Sequence, residues 1–195
     1  MRKTRLLLAA AVVCSAVRIA AAQDIVELRG ADTKYRFADW SHTFGNSAVM
    51  DLFYVGVPGS NEFNFGGGYT FKLGKLSLSP LAYAVFGKEG SQRGAKLALL
   101  AAWDSHGWRL NSFFAGFIRV SGEVEDYLVL DTMDFTRTFG KRWEAGLSSG
   151  LFSTGGDWSP QVGPLVKLND RLGSWGLSYR FGPQKELRLS RLFAF

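Results

Sequence analysis

The chain has 195 residues, 47% of them hydrophobic, with 23 glycines, 16 phenylalanines and one cysteine. A mean hydropathy of +0.01 is too low for a bundle of membrane helices, which would need uninterrupted apolar runs of about twenty residues; the body of the chain has none. The formal charge of +6 must be corrected for the first residues before it excludes anything.

Arg2, Lys3 and Arg5 precede an apolar run over residues 6–13, and Ala20-Ala21-Ala22 stands before Gln23. A basic end, a short apolar stretch and an Ala-x-Ala site predict a secretory signal peptide over residues 1–22, cut after Ala22. The run is too short for a membrane anchor. The peptide carries Arg2, Lys3, Arg5 and Arg18, so 23 − 4 = 19 basic residues face 17 acidic ones, about +2. That balance gives no reason to expect a nucleic-acid or acidic partner. Cys14 lies inside the peptide, so the exported chain has no disulfide framework and no thiol chemistry. An exported, cysteine-free, phenylalanine-rich chain points to the outer membrane of a Gram-negative-type bacterium.

Residues 23–46 show little periodicity. Ile25, Val26 and Leu28 form a short apolar patch, and Tyr35, Phe37 and Trp40 are scattered. The segment is expected to be a lead-in or plug ahead of a barrel over residues 47–195, although it could also supply a strand or two. In residues 47–57, Ala48, Met50, Leu52 and Tyr54 share one face and Asp51 takes the other. Pro58-Gly59-Ser60-Asn61 is turn chemistry.

Residues 62–72 carry the clearest pattern. Phe63, Phe65, Gly67, Tyr69 and Phe71 lie on one face of an extended chain, and Glu62, Asn64, Gly66, Gly68, Thr70 and Lys72 on the other. A period of two is that of a strand, and the run is long enough for a tilted strand to cross a bilayer. Gly66-Gly67-Gly68 sits in mid-strand, with no helix after it and no Lys-Ser/Thr pair. It therefore reads as a bend or a close approach rather than a phosphate loop.

The rhythm continues. Ala95, Leu97, Leu99, Ala101 and Trp103 alternate with Lys96 and Asp104; Leu110, Phe114 and Ile118 alternate with Arg109, Asn111 and Arg119. Over residues 126–139 the facing is ambiguous, because Asp131 and Arg137 fall in step with Phe135, which suggests a bulge. Trp143, Ala145 and Leu147 then oppose Glu144, Gly146 and Ser148. A Gly/Ser-rich loop is expected over residues 153–160. Val162, Pro164, Val166 and Leu168 share a face in the next strand, and Trp175, Leu177, Tyr179 and Phe181 alternate with Ser178 and Arg180.

Tight turns near Gly74, Gly107, Gly140 and Asp170 alternate with longer polar connections, an asymmetry typical of outer-membrane barrels. The tight turns are flanked by Phe71, Trp103, Trp108, Trp143 and Trp175, where rings would sit at the bilayer–water interface. The fold class is therefore all-β: an antiparallel up-and-down transmembrane β-barrel of about ten strands, within a range of about eight to twelve. The final strand ends in Phe195, with Phe193, Leu189 and Leu187 at alternate positions, and only Arg191 breaks the apolar series. This ending resembles that of exported bacterial barrels and implies recognition by the barrel-assembly machinery. The exported chain as a whole resembles small outer-membrane barrels of the opacity and OmpA/OmpW-like kind.

The predicted inward set includes Glu62, Lys72, Lys96, Asp104, Arg109, Arg119, Glu144, Lys167 and Arg180. Buried charges must be paired or hydrated. The set reads either as an ion-pair network that stiffens the barrel, or as a narrow polar pore for small solutes in which a basic excess favours anions. Glu62, Lys96, Arg109, Arg119, Glu144 and Arg180 are the selectivity candidates. No cofactor or metal is expected, since no His/Cys/Asp cluster has ligand spacing. The alternative is an outer-membrane enzyme acting on lipid or peptide at the outer rim. It would lean on His42 with Ser41 or Ser47, but no third group orients such a pair. His106, between Ser105 and Gly107, reads as a turn residue.

Overall fold

The computed structural model describes residues 23–87, 93–123 and 125–195; the expected signal peptide lies outside them. The chain zigzags through β1 (Gln23–Ala31), β2 (Arg36–Thr43), β3 (Ala48–Val57), β4 (Ser60–Tyr69), β5 (Phe71–Leu73) and β6 (Leu76–Gly87). It continues through β7 (Arg93–Ser105), β8 (Trp108–Ser121), β9 (Tyr127–Phe139) and β10 (Trp143–Thr154). The last three strands are β11 (Asp157–Asp170), β12 (Gly173–Arg180) and β13 (Glu186–Ala194). Successive strands pair antiparallel, except that β4 and β5 do not pair with each other, and β1 also pairs with β13, Ile25 opposite Ala194 and Ala31 opposite Arg188. That last pairing closes the sheet into a barrel and removes its edges.

β4 and β5 both pair with β6, so they are one stave broken at Thr70. Thirteen segments with one such merger make twelve staves among the described residues. Ten of them follow Ser47, as expected. The other two are β1 and β2, which lie in the segment expected to be a lead-in or plug. That expectation is corrected: residues 23–43 are wall. Their alternation is hard to see because the apolar Ile25 shares a face with Glu27 and Arg29, the charged Asp24 shares the other with Val26 and the outward Leu28, and Gly30 and Ala31 add no contrast.

The break at Thr70 has a local cause. Pro80 on β6 has no N–H to offer, and Thr70 Oγ1 instead lies 2.8 Å from Ser79 Oγ. Next to the break, the three glycines of β4 let backbones approach closely. A Cβ on Gly66 would stand 2.0 Å from the Ala82 carbonyl oxygen, and one on Gly68 2.0 Å from that of Pro80. Gly66-Gly67-Gly68 is thus a close approach within the wall.

Both described chain ends share a rim: the Asp24 N–H donates to the Phe195 carbonyl at 3.3 Å, and the Phe195 N–H to that of Asp24 at 2.9 Å. The tight turns at Gly74, Gly107, Gly140 and Asp170 lie on this rim. His106 (φ 52°) and Gly107 (φ 79°) are both left-handed, the mirror-image turn that suits the twist of a hairpin. At the opposite rim the expected loop over residues 153–160 is absent. Thr154 pairs with Asp157 and Ser153 with Trp158 across Gly155-Gly156, whose φ values are 58° and 91°. Two left-handed glycines make a two-residue turn, and Trp158, Pro160 and Val162 carry the outward alternation straight through.

The suspected bulge is present at Asp131. The register slips between Phe113 and Phe114 on β8 and between Ser149 and Leu151 on β10, the two partners of β9. One extra residue there turns Asp131 inward while Leu128, Met133 and Phe135 stay on the exposed outer face.

Candidate functional site: the barrel interior

The interior is built from two unlike halves. On one side Phe53, Leu81, Tyr83, Ala98 and Ala115 form an apolar cluster, with Phe37, Val55, Phe113 and Val129 packed against it. Phe53 contacts Phe113 edge-on at 5.8 Å between centroids and Tyr83 at 5.0 Å. Phe53 on β3 and Phe113 on β8 are four staves apart, so their contact narrows the lumen. Residues 81–86 are apolar without interruption, a sign of a strand covered on both faces.

The other half is ionic, and Asp131 is its centre. It accepts from Arg29 and, at 3.3 Å, from Arg188; the Tyr35 hydroxyl donates to it at 3.2 Å. Arg29 also donates to Glu27 at 2.6 and 2.7 Å, and Arg188 to Glu186 at 2.8 Å. Arg180, 1% exposed, donates to the Asp131 carbonyl at 3.0 Å and to Ser148 Oγ at 2.7 Å. Ser148 in turn donates to Asp134 at 2.6 Å, and Lys167 pairs with Asp134 at 2.9 Å. Three bases from three staves thus converge on a bulged residue.

Two smaller groups lie above and below. Towards the rim opposite the chain ends, Lys96 Nζ is 2.7 Å from Glu62, which also accepts from the Tyr127 hydroxyl at 2.5 Å; both charged groups are buried. Towards the rim of the chain ends, Arg109 bridges Asp104 at 2.8 Å and Glu144. Glu144 accepts further from Asn169 at 2.7 Å and Thr136 at 3.0 Å.

Among the selectivity candidates, then, Glu62, Lys96, Glu144 and Arg180 are buried in the interior and Arg109 lines it at a mouth. Arg119 is a correction: it lies exposed at the far rim, its N–H bonded to Asp126 at 2.7 Å. A second correction concerns charge. The predicted set missed the inward acids Glu27, Asp39, Asp131, Asp134 and Glu186, so the expected basic excess does not exist. Arg29, Arg188, Lys96, Lys167 and Arg109 each meet a carboxylate. The missed acids come from β1, β2, the bulge and the start of β13, where the outward partner residues were too mixed to reveal the face.

Of the expected interface aromatics, Phe71, Trp108, Trp143 and Trp175 are exposed on the outer face, and Trp103 lies beside them half-buried. His42 also faces outward, its Nδ1 2.9 Å from Asp24, which accepts from Trp40 Nε1 at 3.1 Å. Ser41 alternates to the inner wall, so the His42–Ser41 pair of the enzyme alternative is not formed. Among the described residues no group of three or more His, Cys, Asp or Glu side chains is arranged to hold a metal ion.

No family model matches this chain, and no curated protein matches it in sequence. Among solved structures it is similar to KdgM porin, at 13% identity and a TM-score of 0.63, over 89% of this chain and 99% of that one. A structure of KdgM porin in complex with disordered oligogalacturonate gives 13% identity, a TM-score of 0.64 and the same coverage. At that identity the likeness is one of fold. With its closed wall, apolar outer face and an interior that is ionic on one side, the chain has the fold of a small outer-membrane β-barrel.

Proposed function

We propose that the protein is a narrow porin of the bacterial outer membrane that passes small polar solutes of little net charge. The observation that carries this reading is the pairing of five of the six interior bases described above, all but Arg180, with carboxylates. A lumen whose charges cancel locally offers water-filled polar contacts without a field that would concentrate one ionic sign. KdgM porin, whose complex contains the polyanion oligogalacturonate, supports transport as the class of function rather than a closer kinship with opacity or OmpA/OmpW-like barrels. The compensated wall favours uncharged or zwitterionic cargo over a polyanion. Glu62, Lys96, Arg109, Glu144 and Arg180 set the polarity of the passage, and Phe71, Trp103, Trp108, Trp143 and Trp175 seat one rim in the bilayer interface. Phe195, at the exposed end of the closing strand, serves the assembly machinery.

The test is single-channel recording of the refolded chain in a planar bilayer, after heat-modifiable gel migration has established folding. Small discrete conductance steps with a reversal potential near zero in a salt gradient are expected. A folded, inserted protein that never conducts would overturn the porin reading.

A further inference from the structure

The outer face near the chain-end rim carries a group of bases that the lumen does not use. Arg137 on β9 points outward, its guanidinium 5.4 Å from the Trp108 ring centroid and 6.0 Å from that of Phe139. Lys141 and Arg142 form the tip of the β9–β10 hairpin and Arg171 the tip of β11–β12, and all are exposed. The two tips are neighbours: β10 pairs with β11, and the Asn169 N–H donates to the Arg142 carbonyl at 2.7 Å. None of the four bases has an ion-pair partner among the described residues. The carboxylates within reach are already engaged. Asp170 is held bidentately by Arg191 at 2.8 and 3.0 Å and accepts the Leu172 N–H at 2.9 Å, while Asp104 faces inward to Arg109.

We infer that this patch binds the phosphate headgroups of anionic glycerophospholipids in the periplasmic leaflet. The rim of short turns is the periplasmic one, and exposed rings beside the patch — Trp143 at 52%, Phe139 at 53%, Trp175 at 46% — are of the kind that settles at the membrane–water boundary. Bases rooted among such rings extend their cationic ends to the level of the phosphates. Arg191 shows the alternative fate of an outward base here. Sandwiched between Trp175 at 4.9 Å and Phe193 at 4.5 Å, it is neutralised by Asp170, which leaves Arg137, Lys141, Arg142 and Arg171 as the unneutralised bases of these two neighbouring hairpins. Lys72 and Lys75, exposed at the β5–β6 turn, add to the charge of the same rim. The inference concerns the outer wall and stands or falls independently of conduction through the lumen.

The full exported chain would be refolded into phosphatidylcholine vesicles containing trace spin-labelled phosphatidylglycerol or spin-labelled phosphatidylcholine. The motionally restricted fraction of each label gives their relative association with the barrel surface. A several-fold preference for phosphatidylglycerol at low salt is expected, falling as ionic strength rises. The combined variant Arg137→Gln, Lys141→Gln, Arg142→Gln, Arg171→Gln should lose most of that preference while keeping its heat-modifiable folded band. A control, Lys34→Gln, Arg36→Gln, Lys185→Gln at the opposite rim, should keep the preference. No preference in the unaltered protein, as when an acidic periplasmic protein is the true partner, would overturn the inference. So would a preference that survives the fourfold change or disappears equally in the control.

Discussion

Arg29 on β1 and Asp131 on β9 form an ion pair across the barrel interior, with side chains only 9% and 15% exposed. Their strands are five staves apart in one direction around the wall and seven in the other, so the pair spans nearly the full width of the lumen. Tyr35, Arg188 and Arg180 brace the same carboxyl residue from other sides. This bridge across the passage therefore rests on a residue that faces inward only because of a bulge.

Asp131→Asn should change the ionic preference of the pore. It removes the charge shared by Arg29 and Arg188 and leaves the bases around that site in excess. The reversal potential in a salt gradient is expected to move towards the anion value, while Arg119→Gln, at the exposed rim, leaves it unchanged. An unshifted potential in the Asp131 variant would mean that ions do not pass this point.

Glu62→Gln should weaken the fold as well as the lumen. Lys96 is 3% exposed in its side chain and would lose its carboxylate partner. Breaking one side of a buried pair typically costs about 3–5 kcal/mol. The urea midpoint of unfolding from vesicles should fall accordingly, and the double change Glu62→Gln, Lys96→Met should recover most of the loss.

Gly68→Val should block barrel closure, since its Cβ would meet the Pro80 carbonyl oxygen at 2.0 Å. Backbone cannot retreat there without parting β4 from β6. The folded, fast-migrating gel band is expected to vanish. Gly30→Ala on β1, where no atom lies within 4 Å of the added carbon, should leave that band in place.

Deletion of residues 23–43 distinguishes wall from plug. A plug, once removed, would leave a larger open pore. The loss of β1 and β2 instead exposes unpaired edges on β3 and β13, which aggregate or misassemble. No heat-modifiable monomer is expected.

Much of the fold was legible because a strand in a bilayer has a strict two-residue period. Phe63, Phe65, Tyr69 and Phe71 had to face one way if Glu62, Asn64 and Lys72 faced the other, and each similar run fixed a stave, its direction and its turn. The misfit of Asp131 with Phe135 even marked the bulge. Where both faces are alike the period says nothing. Leu81, Tyr83 and Val85 were indistinguishable from the outward Ala82, Ala84 and Phe86, so the apolar half of the interior stayed hidden. In β1, small residues and paired charges blurred the contrast in the same way.

Alternation within a segment thus determined the class of fold, the outward aromatics and about half of the inward charges. What only the tertiary structure decided is which inward residues meet. Arg29 and Asp131 are separated by 102 residues, and Phe53 and Phe113 by four staves. Their contacts depend on closure of the sheet and on the stagger between strands, which are properties of the whole wall. The charge balance of the lumen followed from the same source: it is a sum over twelve staves, and the acids of β1, β2, β13 and the bulged β9 removed the expected basic excess.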